Sequence, residues 1–293
     1  MAAPDPGFDR RFTPAAPGLW AMVMIHAGAL LALLPAARPT PALLALCAAT
    51  YALRMFAVTA GFHRYFAHRA FKTSRAVQFL FAFIGGMAVV RGALWWAAHH
   101  RAHHRHSDER GDPHSPIHGL WWSHMGWFMA RGNQATRREL IPDLTRFPEL
   151  VWLDRNELAP ILVFVAVCFG VGAGGAALAG TPVLAGGFAA WVWGANVSSV
   201  LLCHSIFSLN SVSHAIGSRR YDVGDRSTNQ PLVALATFGE GWHNNHHRWP
   251  GRAYLGEGWR EVDISWYGLR LLAALGLVSD LRGQEGEARR LSA

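Results

Sequence analysis

Two apolar runs open the chain. Positions 19–34 are apolar except for His26 and close on Pro35; positions 41–62 are apolar except for Arg54. Each approaches the ~20 residues a helix needs to cross a bilayer. Only 36–40 separate them, so the pattern predicts a helical hairpin. A second pair follows at 158–178 and 182–202, joined by an uncharged linker rich in Gly and Ala. Positions 76–98 are also apolar, but Gly85-Gly86 and Arg91-Gly92 interrupt them. Between and after these runs the chain turns polar, and there histidine collects.

Five histidines occupy the stretch His99-His100-Arg101-Ala102-His103-His104-Arg105-His106. His63 and His68 precede it, and His243, His246 and His247 lie far downstream. Packing alone does not gather this much imidazole, whereas neutral imidazole is the commonest metal ligand and suits iron, zinc and copper. His100, His103 and His104 stand at i, i+3 and i+4, and His243, His246 and His247 repeat that spacing. On a helix these positions share a face, so each trio is expected to aim nitrogens at a common point. His63 and His68 lie about 140° apart at 3.6 residues per turn. They converge only if the helix ends or bends between them, or else they serve different metals. Eight such histidines exceed one ion's capacity, since a tetrahedral zinc takes four ligands. Two metals of higher coordination would use them, and an all-nitrogen set suits iron.

If these clusters serve one centre, they share a side of the membrane. A single crossing by 76–98 would separate the first two, so that segment should lie in the interface or dip in and return. The expected fold is therefore an all-α integral membrane protein. Four spans (19–34, 41–62, 158–178, 182–202) form two hairpins beneath a cytosolic helical cap that carries a histidine-rich di-metal site. Positions 1–16 read as a cytosolic N-terminal tail, 17–282 as one domain and 283–293 as a loose C-terminal tail. The hairpin tips hold one arginine, Arg38, while Arg64, Arg69, Lys72, Arg75 and later arginines lie on the histidine side. The positive-inside rule makes that side cytoplasmic, with both termini there, and the cytoplasmic membrane is the expected location.

Composition agrees. The chain has 293 residues, of which 51% are hydrophobic and 16% charged, against roughly 25% charged in soluble domains. The formal net charge is +8, but the arginines border apolar runs, which points to lipid or a phosphate-bearing substrate rather than nucleic acid. Cys47, Cys168 and Cys203 sit in apolar stretches without Cys-x-x-Cys spacing, so no iron–sulfur site is expected. A histidine-rich metal transporter would place its ligands at mid-membrane; here they cluster outside the spans.

His-x4-His followed by two His-x2-His-His motifs, separated by paired spans, resembles the membrane-bound fatty acid desaturases, most nearly the acyl-CoA delta-9 (stearoyl-CoA-type) branch and its bacterial members. Flanking stretches extend the likeness: Asp112-Pro113-His114, Ser123-His124-Met125-Gly126-Trp127, Asn210-Ser211-Val212-Ser213-His214, Arg219-Arg220-Tyr221-Asp222, Gly239-Glu240-Gly241-Trp242 and Asp263-Ile264-Ser265-Trp266. It covers roughly 45–275. The resemblance implies two iron ions held by nine histidines: His63, His68, His100, His103, His104, His214, His243, His246 and His247. Asn210 would hold a water near one iron. It implies O2 as co-substrate and a cis double bond, at carbon 9 of a saturated C16–C18 acyl thioester such as fatty acyl-CoA. A lipid hydroxylase or an acyl-lipid desaturase is the alternative. In animal members an Arg-Asp pair before the second box helps bind the coenzyme A headgroup. Ala98 and His99 stand there, which leaves open whether the carrier is CoA, acyl carrier protein or lipid.

Arg131 is then a candidate phosphate contact, and Trp96 a candidate flank of the substrate. Tyr51 and Met55 precede His63 by roughly 12–18 Å along a helix and are expected to limit acyl chain length. No haem, flavin or iron–sulfur motif is present, so a separate electron donor, a ferredoxin or rubredoxin with its reductase, is expected on the cytosolic face. His26 and His204 read as structural residues, while His99, His106, His114, His118 and His124 are not separable into metal-supporting and surface residues.

Overall fold

The structure, a computed structural model, describes residues 17–283. The expected tails, 1–16 and 283–293, lie outside the described residues except for Gly283. The described chain is mostly helical. Three helices are long and apolar enough to cross a membrane: α2 (Pro41–Ala67), α6 (Leu158–Leu178) and α7 (Val183–His214). The first expected span, 19–34, is the shorter helix α1 (Pro17–Leu33), whose last turn tightens to 3-10 form before Leu34 turns extended.

Thr40 and Pro41 start α2: the Thr40 hydroxyl accepts from Leu43 N–H, and proline occupies the first helical position. The helix does not stop at 62. It changes to π-helix over Ala57–Ala67 and so carries the first histidine pair within the same rod. Likewise α7 continues past 202, through a π stretch at Trp191–Val197, to His214. α6 and the start of α7 approach closely where glycines meet. A methyl on Gly172 would lie 2.3 Å from both Ala190 Cβ and the Gly186 carbonyl oxygen, the small-residue packing by which apolar helices associate in lipid.

The stretch expected as one interfacial segment, 76–98, is two helices, α3 (Arg75–Gly86) and α4 (Ala93–His106), with a break between them. α3 descends along α2: Gln78 bonds Tyr65, and Gly85 packs on Phe62. The break reaches Arg54, which donates to the Met87 carbonyl at 3.1 Å. α4 then returns along α2, where Arg101 donates to the Phe66 and Ala67 carbonyls. The segment thus ends on the side where it began.

Arg54 is fully buried and also donates to Thr50 O, Ser198 Oγ and Ser199 Oγ, with its guanidinium 4.1 Å from the centre of the Phe164 ring. One cation therefore ties α2, α6, α7 and the break together. After α4 come α5 (Pro148–Arg155), α8 (Pro231–Ala236), α9 (His243–Arg248) and α10 (Ile264–Ala274). The described chain is not wholly α. β1 (Lys72–Thr73) pairs antiparallel with β2 (Val278–Ser279), fastening the stretch after α10 beside the exit of α2. The main core lies around the π stretch of α2, with Phe62, Phe66, Trp95, Phe128 and Phe207 buried there.

Candidate metal centre

The π stretch answers how His63 and His68 meet. An i→i+5 hydrogen bond sets residue i+5 nearly above residue i. Here the His68 N–H donates to the His63 carbonyl at 3.2 Å, and the two rings lie 4.8 Å apart. An α-helix would have splayed them. π turns are rare and concentrate at functional sites.

The nine histidines form two groups. His63, His68, His100, His104 and His246 make one; His103, His214, His243 and His247 make the other, and within each group the ligand atoms lie within 4.8 Å of one another. The expectation that each His-x2-His-His trio aims at one point is corrected. In α4, His100 and His104 enter the first group while His103 enters the second. In α9, His243 and His247 enter the second while His246 enters the first. The helix dictates this division: i and i+4 differ by about 40°, but adjacent residues differ by about 100°. Each trio therefore serves both groups.

The nitrogens face one another at short range. In the first group the Nε2–Nε2 distances are 2.8 Å for His68–His100, 3.0 Å for His100–His104, 2.9 Å for His104–His246 and 3.0 Å for His63–His246. In the second they are 3.0 Å for His214–His243, 3.1 Å for His243–His247 and 3.4 Å for His103–His247. Two nitrogens ~2.1 Å from one ion and at right angles would be about 3 Å apart.

Carboxylates fix the tautomers. His103 Nδ1 donates to Asp112 at 2.9 Å, His214 Nδ1 to Asp108 at 2.9 Å and His247 Nδ1 to Asp225 at 2.5 Å. His63 Nδ1 pairs with Glu240. With the proton on Nδ1, each Nε2 presents a lone pair inward, the carboxylate–histidine arrangement that orients metal ligands. Lone pairs facing one another at 3 Å repel unless a cation lies between them, so the residues fit two metal ions. Burial holds His68, His100, His104, His243, His246 and His247 well below the usual imidazole pKa, and neighbouring histidines add to it. They stay neutral and able to ligate. Burial also pushes His103 down, but Asp112, with Asp108 and Asp225 behind it, more than offsets that and the net direction is up. His103 and His114 hold Asp112 far below the carboxylate range, against burial.

A second buried layer holds the first. Arg64 bridges Glu240 and Asp263, donating to them at 2.9 Å each. Asp263 caps α10 by accepting from Trp266 N–H. Gly239 sits at φ 117°, and a methyl there would lie 2.4 Å from Asp263 Oδ1, so the approach of Glu240 to His63 requires glycine. Asn229 Oδ1 accepts from the N–H groups of Asn244 and Asn245, which anchors the first turn of α9.

Beside the histidines lies a mostly apolar cavity of about 640 Å³, open solvent at its mouth included; Val58, Trp96, Phe207, Asn210, His100 and His243 are among its walls. Trp96 stacks on His100, with ring centres 4.7 Å apart. Asn210 faces this cavity. Tyr51 and Met55 do not line it: the Tyr51 hydroxyl donates to the Ala236 carbonyl at 2.5 Å, and Met55 is packed away from solvent. Along α2 the walls end at Val58 and Thr59, one turn short of Met55. Arg131 is exposed and lies away from the cavity.

The structure separates the remaining histidines. His114 stacks at 4.4 Å on His103, and His99 is buried with Nδ1 donating to Trp95 O at 2.9 Å. Burial pushes both down to about 3. His106 is half exposed near Glu109. His124 bonds His204, which bonds His26, tying α1 to α7. The carboxylates Asp108 and Asp225 were beyond sequence reasoning. Asp108 lies 106 residues from its histidine, and no fixed spacing announces such a pair.

Residues 39–280 match the family model described as fatty acid desaturase. The chain is 34% identical over 259 residues to an sn-1 stearoyl-lipid 9-desaturase of Anabaena variabilis, covering 88% of this chain and 90% of that protein. It is 36% identical over 222 residues to an sn-2 palmitoyl-lipid 9-desaturase of Nostoc sp. (strain 36), covering 74% and 73%. Identity to an icosanoyl-CoA 5-desaturase of Limnanthes douglasii is 35% over 236 residues, covering 79% of this chain and 62% of the plant protein, less than two thirds of its length.

Proposed function

We infer the function from one premise: the chain belongs to the fatty acid desaturase family. It is proposed to insert a cis double bond, at carbon 9, into a saturated C16–C18 acyl chain, as an O2-dependent integral membrane enzyme. The observation that carries this reading is the division of nine histidines into groups of five and four at the edge of an apolar cavity. Two iron ions, when bound, supply the activation of O2 and the removal of hydrogen from an unactivated carbon. His63, His68, His100, His104 and His246 would hold one ion and His103, His214, His243 and His247 the other, with Asn210 holding a water near one of them.

The chain's own part is orientation and exclusion. Asp108, Asp112, Asp225 and Glu240 keep Nε2 aimed inward. Trp96, stacked on His100, gives the acyl chain an apolar rest against a ligand. Phe207 and Val58 keep bulk water from the reacting carbon. α1 joins the three apolar helices as a fourth, tilted or thinned crossing, with the histidines and both termini on the cytosolic side of the cytoplasmic membrane.

For the carrier, fatty acyl-CoA is one reading; a membrane lipid is the other, and one observation favours it. Ala98 and His99 are both buried, with His99 spent on the Trp95 carbonyl. Neither can touch a coenzyme A headgroup. Electrons come from a separate donor, a ferredoxin or rubredoxin with its reductase. A surface groove bordered by Arg219 and Arg226 has the buried His214 at its floor, so an acidic donor seated there would lie close to a metal ligand.

The test is the fatty acid profile of a desaturase-deficient host expressing this chain, beside His103→Ala and His104→Ala. A new monounsaturated acid, its double bond located by mass spectrometry and absent from both variants, is expected. A hydroxylated product would move the assignment to a lipid hydroxylase.

A further inference from the structure

The cavity beside the histidines has a neighbour. A larger hollow of about 1180 Å³, open solvent included, lies between the start of α1, the start of α6 and the α3–α4 break; Pro17, Ala21, Val89, Arg91 and Ala159 line it. Phe128 belongs to both walls. Val89 faces the hollow and Val90, the next residue, faces the cavity. The partition is therefore one phenyl ring and one turn of backbone.

That turn is strained. Val89 has φ 62° and Arg91 φ 70°, left-handed values that a β-branched residue in particular avoids. Such conformations persist only when the surroundings impose them, and they gather at gates and ligand clamps. Here the surroundings are visible. Arg91 donates to Glu157 Oε2 at 2.7 Å and to Gln134 Oε1 at 2.7 Å, and Gly92 N–H donates to Glu157 Oε1 at 3.3 Å. From the other side Arg54 holds the Met87 carbonyl at 3.1 Å and the Cys203 thiol lies 3.6 Å from the Ala88 carbonyl.

Location identifies the visitor. The hollow opens where two apolar helices begin, at Pro17 and Leu158. Leu158 and Leu162 on its rim are exposed, as an apolar surface in lipid is, and Arg155 is exposed beside them. The mouth sets the apolar Leu158 and Leu162 beside Arg155, while Asp154 and Glu157 stand in the same wall and Glu157 is spent on Arg91; acyl chains fit below, and a lipid headgroup fits at the level of the Arg155 guanidinium. A soluble carrier would not need an opening between membrane helices.

We propose that this hollow is a lateral portal. The acyl chain of a membrane phospholipid enters it from the leaflet on the histidine side. The chain then passes Phe128 and the Val89–Val90 turn into the cavity, while the Arg91–Glu157 pair latches the turn. The proposal rests on the reading of the chain as an acyl desaturase and names the lipid as its substrate class.

The test does not depend on turnover. Metal-loaded protein in phosphatidylglycerol nanodiscs is irradiated with a phosphatidylglycerol whose stearoyl chain carries a mid-chain diazirine. Adducts are then mapped by mass spectrometry of peptides. The wild type is expected to carry adducts on the peptides of Val90, Phe128 and Phe207. Ala21→Trp and Ala159→Trp, which fill the mouth, should lower that labelling at least fivefold, with helicity and metal content unchanged. Ala21→Ser and Ala159→Ser should keep it. Adducts confined to outward residues such as Val167 and Leu184 would overturn the portal, as would cavity labelling that ignores the tryptophans. If the host profile shows no desaturation while labelling follows this pattern, the portal stands and the assigned reaction falls.

Discussion

Asp225→Asn should separate the two proposed metal positions. Asp225 Oδ2 accepts from His247 Nδ1 at 2.5 Å, and its other oxygen accepts from Ser227 N–H at 2.9 Å. The amide keeps the size and the Ser227 contact but loses the charge that fixes the His247 tautomer. Losing such an outer partner typically weakens metal affinity 10- to 100-fold, or about 1.4–2.8 kcal/mol. The effect should fall on one ion. His247 belongs to the group with His103, His214 and His243, and three of those four ligands depend on aspartates. The five-ligand group depends on Glu240 through His63 and does not include His247. Iron per chain is to be measured by mass spectrometry after a graded chelator challenge. Wild type should fall from two ions to none over one range of chelator. Asp225→Asn should hold one ion over a 10- to 100-fold window. Loss of both ions together, or retention identical to wild type, would refute the division of ligands argued here.

Arg54→Met should leave the Met87 carbonyl buried without its side-chain donor, at about 1–3 kcal/mol, and lower the thermal midpoint by several degrees; Arg54→Lys should recover part of it, and an unchanged midpoint would contradict the anchoring role. Asp143, which accepts from Arg101 and Arg69, is held at about 2 despite burial, against an ordinary value near 4. Its contribution is fully present above about pH 4 and is lost as pH falls through 2. Full conversion gives about 2.5 kcal/mol, and solvent screening reduces it to roughly 1. Asp143→Asn should therefore flatten the acid limb of a stability–pH curve while leaving neutral-pH stability lower. Met55→Ala, one turn beyond Val58 and Thr59, should extend the cavity and shift products toward longer chains; an unaltered chain-length profile would count against Met55 as its end.

The histidine cluster was legible because histidine spacing on a helix is periodic and carries chemistry that packing does not. The expectation that each trio meets at one point was wrong, although the division has a helical reason: adjacent positions lie about 100° apart. Two features were out of reach. The π turn that unites His63 and His68 depends on how α2 packs against α3 and α4, which no local pattern encodes. The aspartates pair with histidines remote in sequence. Hydropathy marked α6 to the residue, but it could not show that α2 and α7 run on beyond the apolar stretch to deliver His63 and His214. Nor could it show that 76–98 folds back on itself: that turn depends on Arg54, whose partners come from three other parts of the chain.

Anomalous X-ray scattering at the iron edge from crystals of the purified protein tests the central claim most directly. Two peaks are expected, one enclosed by His63, His68, His100, His104 and His246, the other by His103, His214, His243 and His247. A single peak, or scattering at another metal's edge with none at iron, would contradict a two-iron centre built from these nine histidines.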